Sequence, residues 1–140
     1  MITNERQYAI TKAQAKRFKE ALTKGDEQGK TLHPKVRKAM RESLRSQLQD
    51  LETEIADYEK LRGGKITTFV ANSIADIPVA LIRARIARNW TQKQLGEKLN
   101  LPEQQIQRYE ASRYRRVAVE RLQEVADALQ VRVQEVITIE

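Results

Sequence analysis

Groups able to do covalent or metal chemistry are scarce in this chain. It has no cysteine and a single histidine, His33, which precedes Pro34 with no second imidazole near it. Thiol nucleophiles, disulfides and cysteine-based zinc sites are therefore excluded. Glu52 and Glu54 stand two positions apart in a helical stretch and so do not share a face, which argues against a paired-carboxylate acid and base. No catalytic residue, metal site or cofactor is expected, and no enzyme. What the chain concentrates instead is side chains that make hydrogen bonds. They cluster between Trp90 and Glu110, in Trp-Thr-Gln-Lys-Gln-Leu-Gly-Glu-Lys-Leu-Asn-Leu-Pro-Glu-Gln-Gln-Ile-Gln-Arg-Tyr-Glu.

Two short helices and a tight turn must position that cluster. Thr91 is a good N-cap, and Gln94 three residues later completes a capping box. Trp90 before the cap and Leu95 in the first turn can form a hydrophobic staple. Asn100 stands where the first helix must stop, and Asn tolerates the left-handed conformation of such a stop. The second helix presents its polar residues outward. Helix, turn and polar second helix form the arrangement that reads duplex DNA through the major groove.

Charge is consistent with a polyanionic partner. Lys and Arg number 26 against 19 Asp and Glu, a net charge of +7 over 140 residues. Arg83 to Arg116 holds nine bases and three acids, whereas the segment after Val117 is acidic. Few aromatic residues are available to stack on single-stranded bases, so double-stranded DNA is the better partner. No apolar run has membrane-spanning length, no signal-peptide pattern opens the chain, and no membrane partner is expected. Localisation is expected to be cytoplasmic and nucleoid-associated.

The elements ahead of this motif also read as helical. Tyr8, Thr11, Ala15, Phe18 and Leu22 mark one face of a helix over residues 4 to 23. A polar loop from Gly25 to Pro34 follows. Lys35 to Arg62 contains neither Gly nor Pro, and Leu44, Leu48, Leu51, Ile55 and Tyr58 step by four and three as a coiled-coil seam does. Two helices bury little surface from each other, so this seam is assigned to a homodimer or to another protein. Residues 35–45 are basic and residues 50–59 acidic, so two copies packed antiparallel would set opposite charges together.

Residues 1–64 are thus an antiparallel helical hairpin for dimerisation or partner binding, 65–75 a connector, and 76–140 a compact helical domain. Within the connector, β-branched Ile66 to Val70 suggests an extended segment. The domain is expected to hold five helices. One runs from about Asp76–Pro78 to Asn89 and buries Leu81, Ile82 and Ile86. The two motif helices follow, then Val119 to Leu129 with Leu122, Val125, Ala126 and Leu129 inward, then a short turn around Gln134 to Ile137. The fold class is all-α.

Leu81-Ile-Arg-Ala-Arg85, Thr91-Gln-Lys-Gln-Leu95, Leu99-Asn-Leu101, Ile106-Gln-Arg-Tyr-Glu110 and Leu122-Gln-Glu-Val-Ala126-Asp-Ala-Leu129 together resemble the DNA-binding domain of the Xre/Cro-like phage-repressor family, over residues 78 to 137. The layout of the whole chain is also similar to antitoxins of the HigA type. The first resemblance implies that Glu103, Gln104, Gln107 and Arg108 face DNA bases, and their chemistry agrees. Arg can bind guanine O6 and N7, Gln can bind adenine N6 and N7, and Glu can accept from cytosine N4. It implies that Gln92 meets a phosphate. Lys93 and the basic run Arg113, Tyr114, Arg115 and Arg116 are assigned to phosphates as well. It further implies a structural ion pair between Arg85 and Glu110.

Two departures from the family pattern stand out. Leu101-Pro102 replaces the usual Ser or Thr before the recognition helix, which removes a side-chain cap. Gly96 replaces a common Ala, at a helix cost of roughly 1 kcal/mol, and suits a close approach of the two motif helices. The implied function is a sequence-specific double-stranded DNA-binding regulator, a dimeric repressor of a palindromic operator. The alternative is an antitoxin that binds a toxin protein through its first helices and represses its own operon.

Overall fold

A computed structural model describes residues 1–28 and 32–140 of the chain. Among the described residues every regular element is helical: α1 (Glu5–Gln28), α2 (Pro34–Arg62), α3 (Ile77–Ala87), α4 (Gln92–Leu99), α5 (Glu103–Ala111) and α6 (Val119–Ala128), with one 3-10 turn at Ile74–Asp76. The chain divides into two compact units, Met1–Glu59 and Lys60–Glu140.

In the first unit α1 and α2 pack antiparallel. Asn4 opens α1, its Oδ1 accepting the Gln7 N–H at 2.8 Å, while the Gln7 amide oxygen accepts the Thr3 N–H at 2.9 Å. These bonds satisfy donors that a helix start otherwise leaves free. The Tyr8 and Tyr58 rings lie 5.1 Å apart, and the two hydroxyls donate crosswise, Tyr8 to Glu59 and Tyr58 to Glu5. Lys19 reaches Glu52 at 3.1 Å. From the Tyr8–Glu59 pair to the Lys19–Glu52 pair the α2 number falls as the α1 number rises, which fixes the antiparallel direction.

The proposed seam therefore needs one correction. Tyr58 is buried within the hairpin against Tyr8, because its ring and hydroxyl both find partners on α1. Leu44, Leu48, Leu51 and Ile55 are half-buried. α2 begins at Pro34, and His33 caps it, with Nδ1 accepting the Lys35 N–H at 3.1 Å. α1 extends through Gly25 to Gln28, further than the expected loop allowed; the middle of that loop, residues 29–31, lies outside the described residues.

The second unit packs α4 against α5 and α6, and α3 against α6. Its core is Leu81, Ile82, Ala84, Ile86, Leu95, Ile106, Tyr114, Val125, Ala126 and Leu129, all buried. Three helix ends close through left-handed residues. Asn89 (φ 56°), Asn100 (φ 55°) and Gln130 (φ 55°) follow α3, α4 and α6. The next N–H turns back onto the helix in each case, from Trp90 to Arg85, Leu101 to Gly96 and Val131 to Ala126. Such reversals satisfy the last carbonyls.

The fifth helical element of this unit is the 3-10 turn ahead of α3, not a turn around Gln134 to Ile137, where no regular structure forms. Val133, Val136, Ile137 and Ile139 stay exposed there, so burial offers no gain that would order a helix. Ile66–Val70 lacks strand structure as well, having no ladder partner among the described residues.

Candidate nucleic-acid interface

α4 and α5 carry the candidate interface, and local chemistry sets their geometry. Thr91 Oγ1 accepts the Gln94 N–H at 3.0 Å and the Gln94 side chain accepts the Thr91 N–H at 2.8 Å, a complete capping box. Asn100 ends α4 in the left-handed region, and the Leu101 N–H bonds the Gly96 carbonyl at 2.8 Å. A methyl group at position 96 would lie 2.6 Å from the Leu101 carbonyl oxygen, too close for any real contact. Glycine is thus required by the tight passage of the turn over α4. Pro102 starts α5 with no side-chain cap, and its carbonyl takes the Gln105 N–H at 3.0 Å.

α5 has an inner and an outer face. Ile106 is fully buried and Glu110 nearly so, while Gln105 and Tyr109 are half-buried. Glu103, Gln104, Gln107 and Arg108 are all exposed. An α5 anchored by Ile106 and Glu110 therefore offers solvent one amide-rich strip that ends in a guanidinium. Such groups match the donor and acceptor patterns of base edges in a major groove.

Beneath this strip lies a buried polar cluster. Arg85 grips Glu110 with two hydrogen bonds, Nε to Oε2 at 2.6 Å and Nη2 to Oε1 at 2.7 Å. Its Nη1 donates to the Trp90 carbonyl at 2.6 Å. Gln92 Nε2 adds a bond of 3.1 Å to Glu110 Oε1. Planar guanidinium and carboxylate fit each other in this two-bond geometry. The cluster ties α3, the entry to α4 and the end of α5 into one frame.

Two residues assigned to phosphates belong to this frame instead. Gln92 is buried, and its Nε2 donates to Glu110 Oε1, a carboxylate being a strong acceptor for an amide N–H. Tyr114 is also buried. It stacks on Tyr109 at 5.3 Å between ring centroids. Burial, and then the Glu110 carboxylate, push its phenol well above the ordinary tyrosine range, so it stays neutral.

Lys93, Arg113, Arg115 and Arg116 are exposed. The turn after α5 holds Arg113, Tyr114 and Arg116 at positive φ, 54°, 55° and 59°. Non-glycine residues adopt this region at a steric cost. The inward anchor of Tyr114 overcomes that cost and turns the flanking arginines outward. Lys98 lies over the Trp90 ring, 5.9 Å from its centroid. No group of histidine and acidic side chains among the described residues could hold a metal ion, and no described helix is long and apolar enough to cross a membrane.

Residues 81–136, which run from α3 to beyond α6, match the helix-turn-helix family model. Comparison with curated proteins and with solved structures returned no match.

Proposed function

We propose that the protein, whose residues 81–136 match the helix-turn-helix family model, is a homodimeric DNA-binding regulator that represses transcription from a palindromic operator. One observation carries this reading: Glu103, Gln104, Gln107 and Arg108 share the exposed face of α5, while Ile106 and Glu110 lock the opposite face into the domain. α5 would lie in the major groove with that strip against base edges. Lys93, Arg113, Arg115 and Arg116 would contact phosphates and set its angle. A two-fold dimer reads one half-site per subunit, so the operator would be an inverted repeat. The protein would act in the cytoplasm, on the nucleoid.

Leu44, Leu48, Leu51 and Ile55 remain the proposed dimer seam of the hairpin, with 1–64 as the dimerisation part, 65–75 as connector and 76–140 as the DNA-binding part. Selection from a randomised duplex library tests the reading. Enrichment of an inverted repeat with half-sites about one helical turn apart is expected. Enrichment of single unpaired sites, or of nothing, would contradict it.

A second reading gives the hairpin to a toxin protein, with the chain as antitoxin and autorepressor. Ile10, Val36 and Met40 are exposed on the hairpin helices and favour a protein partner there.

A further inference from the structure

The last ten residues, Val-Arg-Val-Gln-Glu-Val-Ile-Thr-Ile-Glu, follow the closing bond of Val131 to the Ala126 carbonyl without forming regular structure. Among the described residues no backbone hydrogen bond reaches positions 132–140. Val136, Ile137 and Ile139 are 92%, 88% and 95% exposed. β-branched residues of this density disfavour a helix and favour a strand. Alternation is clear. Odd positions hold Val131, Val133, Ile137 and Ile139 with Glu135, and even positions hold Arg132, Gln134, Thr138 and Glu140 with Val136. That is the pattern of a half-apolar strand, and among the described residues no backbone hydrogen bond occupies its ladder groups.

We infer that residues 132–140 pair antiparallel with the same segment of a second copy, centred on Val136. Register follows from three requirements. Only registers that oppose odd with odd positions keep the apolar residues of both strands on one face. Centring on position 135 would set Glu135 against its own copy, and a parallel in-register pair would do the same along its length; like charges directly opposite destabilise a sheet. Centring on position 137 sets Glu140 opposite Gln134 and so forms no opposite-charge pair within the segment. Centring on Val136 sets each Arg132 opposite the partner's Glu140, and each Gln134 opposite the partner's Thr138. Both ends of the ribbon then carry an opposite-charge pair, which a two-fold axis through Val136 generates twice.

A two-stranded ribbon alone is marginally stable. Its role is to fix how the two DNA-binding units face each other, so it shares with the proposed function the premise that the chain dimerises. The natural chain has no cysteine, which makes single-cysteine variants of the full-length protein unambiguous. Val136→Cys is expected to oxidise to a disulfide dimer, because directly opposed residues stand about 4.5–5.5 Å apart between Cα atoms. Gln134→Cys and Thr138→Cys should each stay uncrosslinked alone, their copies being roughly 13 Å apart along the ribbon, yet should crosslink when mixed.

Arg132→Glu should reduce the Val136→Cys crosslink, and Glu140→Arg added to it should restore the crosslink. Equal crosslinking at all three positions would overturn the pairing. So would a protein that sediments as a dimer but does not crosslink through Val136→Cys, in which case the dimeric reading stands. A protein monomeric at every concentration would overturn both.

Discussion

Gln92 donates to the same Glu110 oxygen that Arg85 grips, at 3.1 Å and 2.7 Å respectively. The first residue of α4 and the last turn of α5 are thereby held by one carboxylate. The amide nitrogen is engaged in the frame of the motif and the residue is buried. Gln92→Ala should therefore lower stability by about 1–3 kcal/mol, the range for removing one partner of a buried hydrogen bond, without changing the number of ions released on DNA binding. Chemical denaturation and a salt titration of DNA affinity separate the two effects. A salt slope reduced by about one at unchanged stability would restore a phosphate contact to this side chain.

Glu110→Ala removes the centre of the cluster. Arg85 would keep the Trp90 carbonyl but lose its counter-charge while 2% exposed. Breaking a buried pair from one side costs about 3–5 kcal/mol. Thermal melts without DNA should show the loss directly, and a variant as stable as the parent would contradict the structural role.

Tyr114 gives a pH-dependent prediction. Its phenol is held above the ordinary value of 10.0, chiefly by burial. The neutral form is thus favoured by folding. Its contribution is fully present below about pH 10 and is lost as pH rises beyond the unfolded value toward the folded one. Tyr114→Phe keeps the ring and has no ionisation, so stability should change little at pH 7 and fall less steeply above pH 10. Denaturant midpoints across pH 7–11 test this; parallel curves for the two proteins would count against a buried phenol.

Gly96→Ala should destabilise the domain. The new methyl group meets a backbone oxygen at 2.6 Å rather than a side chain that could move. Overpacking of this kind costs about 1–3 kcal/mol, against a helix-propensity gain of about 1 kcal/mol. A raised unfolding midpoint would mean that the turn at Leu101 yields.

Much of this was legible in the sequence where local chemistry decides. The capping box at Thr91 and Gln94 and the left-handed Asn100 depend on residues close in sequence, whereas at Gly96 the turn carbonyl of Leu101, rather than the second motif helix, makes the closest approach. The inward set Leu81, Ile82, Ile86, Val125, Ala126 and Leu129 followed from helical period. The burial of Gln92 and Tyr114 is not legible in the sequence, because distant partners decide their environment. The acceptor of Gln92 lies eighteen residues away, and a tyrosine set among three arginines carries no local sign of burial. The turn expected around Gln134 to Ile137 does not form, and Val136 and Ile137 stay exposed there. α1 runs through Gly25 to Gln28, where the sequence predicts a loop.

Arg115 and Arg108 should behave differently on DNA. Arg115 is exposed beyond α5, in the turn held by the Tyr114 anchor. Arg115→Ala should weaken binding to all sequences alike and reduce the salt slope by about one. Binding measured at several salt concentrations, on the selected site and on unrelated duplex, checks this. A loss confined to one base position would assign Arg115 to base reading.

The central claim, that the exposed face of α5 reads base edges, is tested most directly by profiling Arg108→Ala beside the parent over a randomised duplex library. Loss of preference at one base position in each half-site is expected, with affinity for the best site reduced by about 1–3 kcal/mol. An unchanged sequence preference in Arg108→Ala would contradict the account.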